Sequence, residues 1–177
     1  IEFDIWMRIL DKVEGSVLWL LKSNKWVQKN LHQEALRRGI TADRLVFAEK
    51  VPHSLHLARQ RLADVFVDTF NVNAGVTAGD ALWVGLPIVT KLGKGPGARF
   101  GATMLEAIDM PELITKTEQE YEALLLDLAT NPQRLSAIKE KLAANRLSTS
   151  LFDSKLFTKN VEKGYQLAYQ RYFDGKD

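Results

Sequence analysis

One stretch of the chain, residues 63–90, restricts the possible folds more than any other. It reads ADVFVDTFNVNAGVTAGDALWVGLPIVT: an apolar run ending at Asp68, a segment of small and polar residues, an apolar helical pattern at residues 78–84, and a second apolar run at residues 88–90. Gly85 is the expected end of the helix. Strand, loop, helix and strand in this order predict a βαβ unit, and the N–H groups at the start of its helix can hold an anionic ligand.

The rest of the chain continues this alternation. Further strands are predicted at residues 16–21, 44–47 and 113–115, with helices between and after them. A last helix is expected over residues 154–173, and Ser54 is the predicted N-cap of a short helix after the second strand. Alternating β and α elements favour an α/β fold with one open, mostly parallel sheet and helices on both of its faces.

Three polar loops are predicted at the carboxyl ends of these strands, at residues 48–54, 69–77 and 91–99. Ligands of open parallel sheets bind at that edge, so we expect the loops to converge. At 177 residues the chain fits a single domain, residues 1–177, and we expect it to be part of a longer protein.

Composition limits the partners. A net charge of +2 is too small to indicate nucleic-acid or membrane binding, and the absence of cysteine excludes disulfides and thiolate metal sites. The longest apolar run, residues 17–21, is far shorter than a membrane span. With no signal peptide recognised, we expect a cytoplasmic protein without membrane or nucleic-acid partners.

Two histidines and an arginine follow the second predicted strand. His56 and Arg59 are three residues apart on one helical face, where they can stack on or donate to a nucleobase or ribose. The alternative is that they, with His53, are solvated residues of an ordinary short helix. No carboxylate or third histidine accompanies the pair, so no metal site is expected.

Thr77 and Asp80 lie in the first turns of the helix in residues 63–90. Thr77, with the N–H groups around Ala78 and Gly79, can accept a phosphate, and Asp80 can accept from ribose hydroxyls. The alternative is that both residues only favour the start of a helix. The glycine-rich loop at residues 93–97 is either a second phosphate contact or a surface turn, and it matches no phosphate-binding motif.

Several of these segments occur together in one known family. LADVFVDT and the pattern T-x-x-D-A-L-W-x-G-x-P-I-V-T resemble the C-terminal catalytic half of O-linked N-acetylglucosamine transferases, especially bacterial members with tetratricopeptide repeats. SVLWLL, HLARQRLAD, PELI, EYEAL and SLFDSKLFTK follow in the family order. The resemblance therefore spans nearly the whole chain and implies the C-terminal, Rossmann-like half of a GT-B glycosyltransferase.

The resemblance also implies roles for individual residues. Val51, His56 and Arg59 match the positions that meet uracil, and His53 stands where the family often has lysine. Thr77 and Asp80 match a diphosphate-binding threonine and a ribose-binding aspartate. We therefore expect a UDP-sugar site, with no metal ion and no other cofactor.

The chain departs from the family at two positions of this site. Members usually have His-Thr before the matched threonine, where this chain has Gly75 and Val76. Loss of a hydrogen bond to a charged group costs about 1.5–3 kcal/mol, so weaker donor binding is expected. The family's diphosphate lysine falls upstream of Ile1, and its proposed catalytic histidine falls in the N-terminal half. No catalytic residue or tetratricopeptide repeat is therefore expected in this chain.

The resemblance implies transfer of N-acetylglucosamine from UDP-GlcNAc to Ser or Thr of acceptor proteins by the parent enzyme. This chain would need its N-terminal GT-B half and its tetratricopeptide region as partners, and alone it should bind UDP without catalysing transfer. Two alternatives are open: a SPINDLY-like O-fucosyltransferase that uses a GDP sugar, and a non-catalytic nucleotide-binding or scaffold module.

Overall fold

The structure, a computed structural model, describes residues 1–175 of the chain. Its regular elements follow one another in the alternating order that the sequence predicts. They are α1 (Glu2–Lys12), β1 (Leu18–Leu21), α2 (Lys25–Leu36), β2 (Leu45–Ala48), α3 (His53–Gln60), β3 (Phe66–Val67), α4 (Val76–Val84), β4 (Ile88–Lys91), α5 (Phe100–Ala107), β5 (Ile114–Thr115), α6 (Glu118–Thr130), α7 (Pro132–Asn145) and α8 (Ser154–Phe173).

All strand pairs in the described chain are parallel, which confirms the α/β class. The ladders form two groups, β1 with β2 and β3-β4-β5, with β4 in the middle of the second. The single sheet expected from the sequence is thus interrupted, because no ladder joins β1 to β3 in the described residues. Trp6 and Val67 pack against the hydrophobic clusters of both groups, so the core bridges the break in the ladder.

The larger core lies around β4. Ile88 and Val89 are fully buried, and α4, α5 and α6 all contact this strand. A strand covered in this way needs apolar residues on both faces, which explains its continuous apolar sequence. The fully buried side chains around it include Leu82, Leu105, Leu113, Tyr121 and Leu128.

Two helix starts differ from the prediction. Ser54 does not cap α3, because the helix already begins at His53 and Pro52 is its N-cap. α4 begins at Val76 rather than at residue 78, with Gly75 as an N-cap that offers no side-chain hydrogen bond. Gly85 ends α4 as predicted, with a φ of 88° in the left-handed region that glycine tolerates best.

The terminal helix α8 has the predicted bounds and carries no buried residue. Apolar side chains along it, among them Phe157, Tyr165 and Tyr169, are largely exposed. Within residues 1–175, no helix combines the length and the apolar character needed to cross a membrane.

Candidate functional site

The three polar loops meet at the carboxyl edge of the strands, as the topology predicts. The loop after β3 is joined to the loop after β4 by a hydrogen bond of 2.8 Å from the Asn73 N–H to the Gly97 carbonyl. The loop after β2 reaches the start of α4 through His53 and Asp80, whose Nε2 and Oδ2 atoms are 3.0 Å apart. Most of the predicted site residues therefore lie on one connected surface.

The free backbone donors at the start of α4 lie earlier than predicted. The N–H groups of Ala78 and Gly79 both donate to the Gly75 carbonyl, at 3.0 and 3.1 Å. The N–H groups of Val76 and Thr77 have no partner in the described part of the chain. Since both residues are exposed, these two donors and the helix dipole are available to an anion.

His53 and Asp80 connect α3 to α4. The Asp80 side chain is 17% exposed and that of His53 is 66% exposed, so the pair lies at the rim of the surface. Whenever the Nε2 atom of His53 carries a proton, it donates to the carboxylate. Asp80 keeps further lone pairs for a second donor such as a hydroxyl group.

His56 and Arg59 share a face of α3, as their spacing predicts. The Nε of Arg59 donates to Nδ1 of His56 at 3.3 Å, which leaves the imidazole Nε2 for another partner. Nη1 of Arg59 donates to the Glu49 carbonyl at 2.5 Å, and its guanidinium lies 5.8 Å from the Trp19 ring centre. The arginine is therefore held in place by the loop and by β1.

Val51 lies in the loop between β2 and α3, two residues before His53. Neither its N–H nor its carbonyl has a hydrogen-bond partner within residues 1–175. Free backbone groups of this kind can pair with the edge of a planar heterocycle, as the resemblance implies for this position.

Asp68 organises the loop before α4 and was missed as a site residue in the sequence analysis. It is 1% exposed, and burial raises the pKa of its carboxyl group, whereas its hydrogen bonds oppose that rise. Its Oδ1 accepts the N–H groups of Thr69 and Ala74, at 2.9 and 2.8 Å, and its Oδ2 accepts the Thr90 hydroxyl at 2.7 Å. The one sequence signal is an acidic residue directly after an apolar strand.

The glycine-rich loop after β4 is a closed turn. The Gly93 N–H donates to the Ala98 carbonyl at 2.8 Å, and a Cβ on Gly93 would lie only 2.4 Å from that of Ala98. Arg99 donates to the Gly93 carbonyl at 3.2 Å, while Lys94 is exposed. The backbone contacts favour the alternative of a surface turn over that of a phosphate loop.

The described residues contain no group of three or more His, Cys, Asp or Glu side chains that could hold a metal ion. Two surface hollows are lined by residues outside the predicted site. One, of about 270 Å³, is lined by Asp4, Met7, Arg8, Asp11 and Arg38. The other, of about 470 Å³, is lined mainly by residues of β5 and α6. None of the predicted site residues lines either hollow.

Comparison with known proteins identifies what this arrangement is similar to. Residues 2–161 match the model of glycosyl transferase family 41. The UDP-N-acetylglucosamine--peptide N-acetylglucosaminyltransferase of Caenorhabditis elegans is 33% identical over 97% of this chain, which spans 15% of that protein. The probable UDP-N-acetylglucosamine--peptide N-acetylglucosaminyltransferase SEC of Arabidopsis thaliana is 32% identical over 90% of the chain, which spans 16% of that protein.

A solved structure agrees with the sequence relatives. A mutant of the Thermobaculum terrenum O-GlcNAc transferase superposes with a TM-score of 0.86 at 28% identity, covering 92% of this chain and 32% of that one. A relative named SPINDLY, the probable UDP-N-acetylglucosamine--peptide N-acetylglucosaminyltransferase of Hordeum vulgare, is 28% identical over 97% of the chain. The chain therefore spans only a small part of the relatives that it matches.

Proposed function

This chain belongs to glycosyl transferase family 41, and on that premise we propose that it is the nucleotide-sugar-binding half of a protein O-N-acetylglucosaminyltransferase. The parent enzyme would transfer N-acetylglucosamine from UDP-GlcNAc to Ser or Thr hydroxyls of acceptor proteins. The observation that carries the proposal is the contact between His53 and Asp80, because it brings the α3 residues beside the free N–H groups of α4.

The surface offers one group for each part of a nucleoside diphosphate. The free backbone groups of Val51, with His56 and Arg59, would contact the uracil. Asp80 would accept from the ribose hydroxyls, and the N–H groups of Val76 and Thr77 would hold the diphosphate. Sugar transfer leaves negative charge on the departing diphosphate, and fixed N–H donors at a helix start stabilise such charge without rearranging.

The rest of the catalytic machinery is proposed to lie outside this chain. A second half that closes over this surface would exclude water and supply a base for the acceptor hydroxyl. That half, the tetratricopeptide region and the acceptor protein are the proposed partners. Metal independence, a cytoplasmic location and the lack of nucleic-acid partners stay predictions.

A second candidate is a non-catalytic nucleotide-binding or scaffold module. The observation that favours it is the pair Gly75 and Val76, which leaves the start of α4 with backbone donors and the single hydroxyl of Thr77. A GDP-sugar enzyme is the other alternative. The relatives named for UDP-N-acetylglucosamine without the SPINDLY label are 33% and 32% identical, whereas the barley SPINDLY relative is 28% identical, which favours the UDP sugar.

Calorimetric titration of the full-length protein with UDP, UDP-GlcNAc, GDP and GDP-fucose tests the proposal. We expect UDP and UDP-GlcNAc to bind more tightly than the guanine nucleotides. In a separate assay with radiolabelled UDP-GlcNAc, we expect the full-length protein to transfer the sugar to an acceptor peptide. Tighter binding of GDP would contradict the choice of donor. Binding of UDP without any transfer, or no nucleotide binding at all, would favour the non-catalytic module.

A further inference from the structure

The carboxylate of Asp68 ties together the two ends of the loop between β3 and α4. One oxygen, Oδ1, accepts N–H groups from both Thr69 and Ala74, which are the second residue and the last but one of that loop. Ala74 immediately precedes Gly75, the N-cap of α4. The backbone just before the first turn of α4 is therefore hydrogen-bonded to the same side-chain atom that holds the start of the loop.

The second oxygen of Asp68 holds that carboxylate against the sheet. Oδ2 accepts the hydroxyl of Thr90 in β4, which is fully buried. Gly101 of α5 lies directly against this pair, since a Cβ there would be 2.6 Å from Oδ2 and 2.7 Å from the Thr90 hydroxyl. The carboxylate thus has almost no room to move, and it holds the two backbone N–H groups that it accepts.

Asn73, next to Ala74, adds further bonds to the same loop. Its side-chain N–H donates to the Thr69 carbonyl at 2.6 Å, and its side-chain oxygen accepts the Gly101 N–H at 3.3 Å. The loop is therefore held by Asp68 near both of its ends and by Asn73 beside Ala74. Directly after these anchors, the N–H groups of Gly75, Val76 and Thr77 have no partner in the described chain.

We propose that Asp68 is a positioning residue for the donor diphosphate, because its buried carboxylate sets the direction of the Val76 and Thr77 N–H groups. The inference rests on the proposed function and deepens it. Asp68 does not touch the nucleotide. It acts through the loop, because loss of the carboxylate would release the Thr69 and Ala74 N–H groups that hold the backbone before α4.

The test compares variants of the full-length protein by UDP and uridine affinity. Asp68→Ala removes the shared acceptor, so we expect UDP affinity to fall by about tenfold, as for a lost hydrogen bond to a charged group. Uridine lacks the diphosphate, and its affinity should stay within about twofold. Asp68→Asn keeps one oxygen for the two N–H groups and should restore most of the UDP affinity.

A matched control separates positioning from stability. Thr115 is a buried threonine whose hydroxyl donates to the Thr90 carbonyl in β4 at 2.9 Å and not to the loop between β3 and α4. Thr115→Val should lower the unfolding midpoint and leave UDP affinity within about twofold, with unchanged amide exchange at residues 69–77. Asp68→Ala should accelerate that exchange. If Asp68→Ala does not fold, Asp68→Ser, whose hydroxyl is too short to reach both N–H groups, takes its place.

The outcomes are distinct. Equal losses of UDP and uridine affinity, or wild-type UDP affinity in Asp68→Ala, would overturn the positioning role while leaving the proposed function intact. If the wild-type protein binds no uridine nucleotide, the proposed function is overturned, and the positioning role with it.

Discussion

The Nε2 atom of His53, the first residue of α3, lies 3.0 Å from Oδ2 of Asp80 in the second turn of α4. The two residues are 27 positions apart in the chain, and only the packing of α3 against α4 brings them together. The family often has a lysine at the position of His53, and here His53 contacts Asp80, the residue to which the resemblance assigns the ribose. The contact places Asp80 at the junction between the base and diphosphate ends of the proposed site.

Asp80→Ala should lower UDP affinity by about tenfold or more, because a hydrogen bond to a charged group contributes about 1.5–3 kcal/mol. The free energy of unfolding should change by no more than about 1 kcal/mol, since the contact with His53 lies at the rim of the surface. Calorimetry and urea unfolding measure the two quantities. His53→Ala is the control: it removes the contact but keeps the aspartate, so its affinity should fall less. Unchanged affinity in Asp80→Ala would remove this residue from the site.

Val76→Thr should raise UDP affinity several-fold. The Val76 side chain is 81% exposed at the first position of α4, so a hydroxyl can be added there without repacking. Bonds to a charged phosphate are about twice as strong as neutral ones. Val72→Thr is a matched control, because Val72 is 67% exposed but lies in the loop before the helix. Equal affinities of the two variants, measured by calorimetry, would contradict a diphosphate at Val76.

Gly101→Ala should destabilise the protein by about 1–3 kcal/mol, the usual cost of overpacking. The added Cβ would lie 2.6 Å from Oδ2 of Asp68, a buried atom that cannot move aside. Gly164→Ala in α8 is the control, since a Cβ there meets nothing within 4 Å. Alanine at that helical position should be neutral or stabilising by up to about 1 kcal/mol. Urea unfolding that gives both variants wild-type stability would show that the loop tolerates the extra atom.

Stability should fall in acid partly through Glu122 of α6. A hydrogen bond from Arg8 of α1 lowers the pKa of Glu122, with Lys12 adding to the effect. A lowered folded-state pKa contributes stability above the unfolded value of about 4.3, and that contribution is lost as the pH falls through the folded-state pKa. Glu122→Gln should therefore lose less stability than the wild type between about pH 5 and pH 3.

Urea unfolding at several pH values measures this difference. Arg8→Met keeps the length of the side chain and removes the donor, so it should reduce the acid dependence in the same direction. The double variant should then show no further reduction beyond Glu122→Gln. A wild-type acid dependence in both single variants would mean that the contact between α1 and α6 contributes nothing through ionisation.

The order of elements could be predicted because it depends on residues that are close in the sequence. The apolar run of β4, the glycine that ends α4 and the bounds of α8 each follow from a short pattern. The motif from Thr77 to Thr90 placed the chain in its family in the same way. Periodicity, turn residues and motifs act over a few positions, so no tertiary information is needed to recognise them.

The tertiary structure decided which groups of the site are free and which are already engaged. Ala78 and Gly79 were predicted to offer their N–H groups, but Gly75 accepts both, and the free donors are those of Val76 and Thr77. No local pattern specifies this, because α4 starts where the preceding loop ends, and the Asp68 carboxylate holds that loop.

Asp68 shows why local patterns predict the elements but not the free groups of the site. Its Oδ2 is bound by Thr90, 22 residues later in the chain, and is covered by Gly101 of a third element. Whether a carboxylate after a strand faces solvent or is buried under a helix depends on which distant segments pack against it. The sequence alone determined the family and the alternating fold, and the packing of distant segments determined the geometry of the proposed diphosphate site.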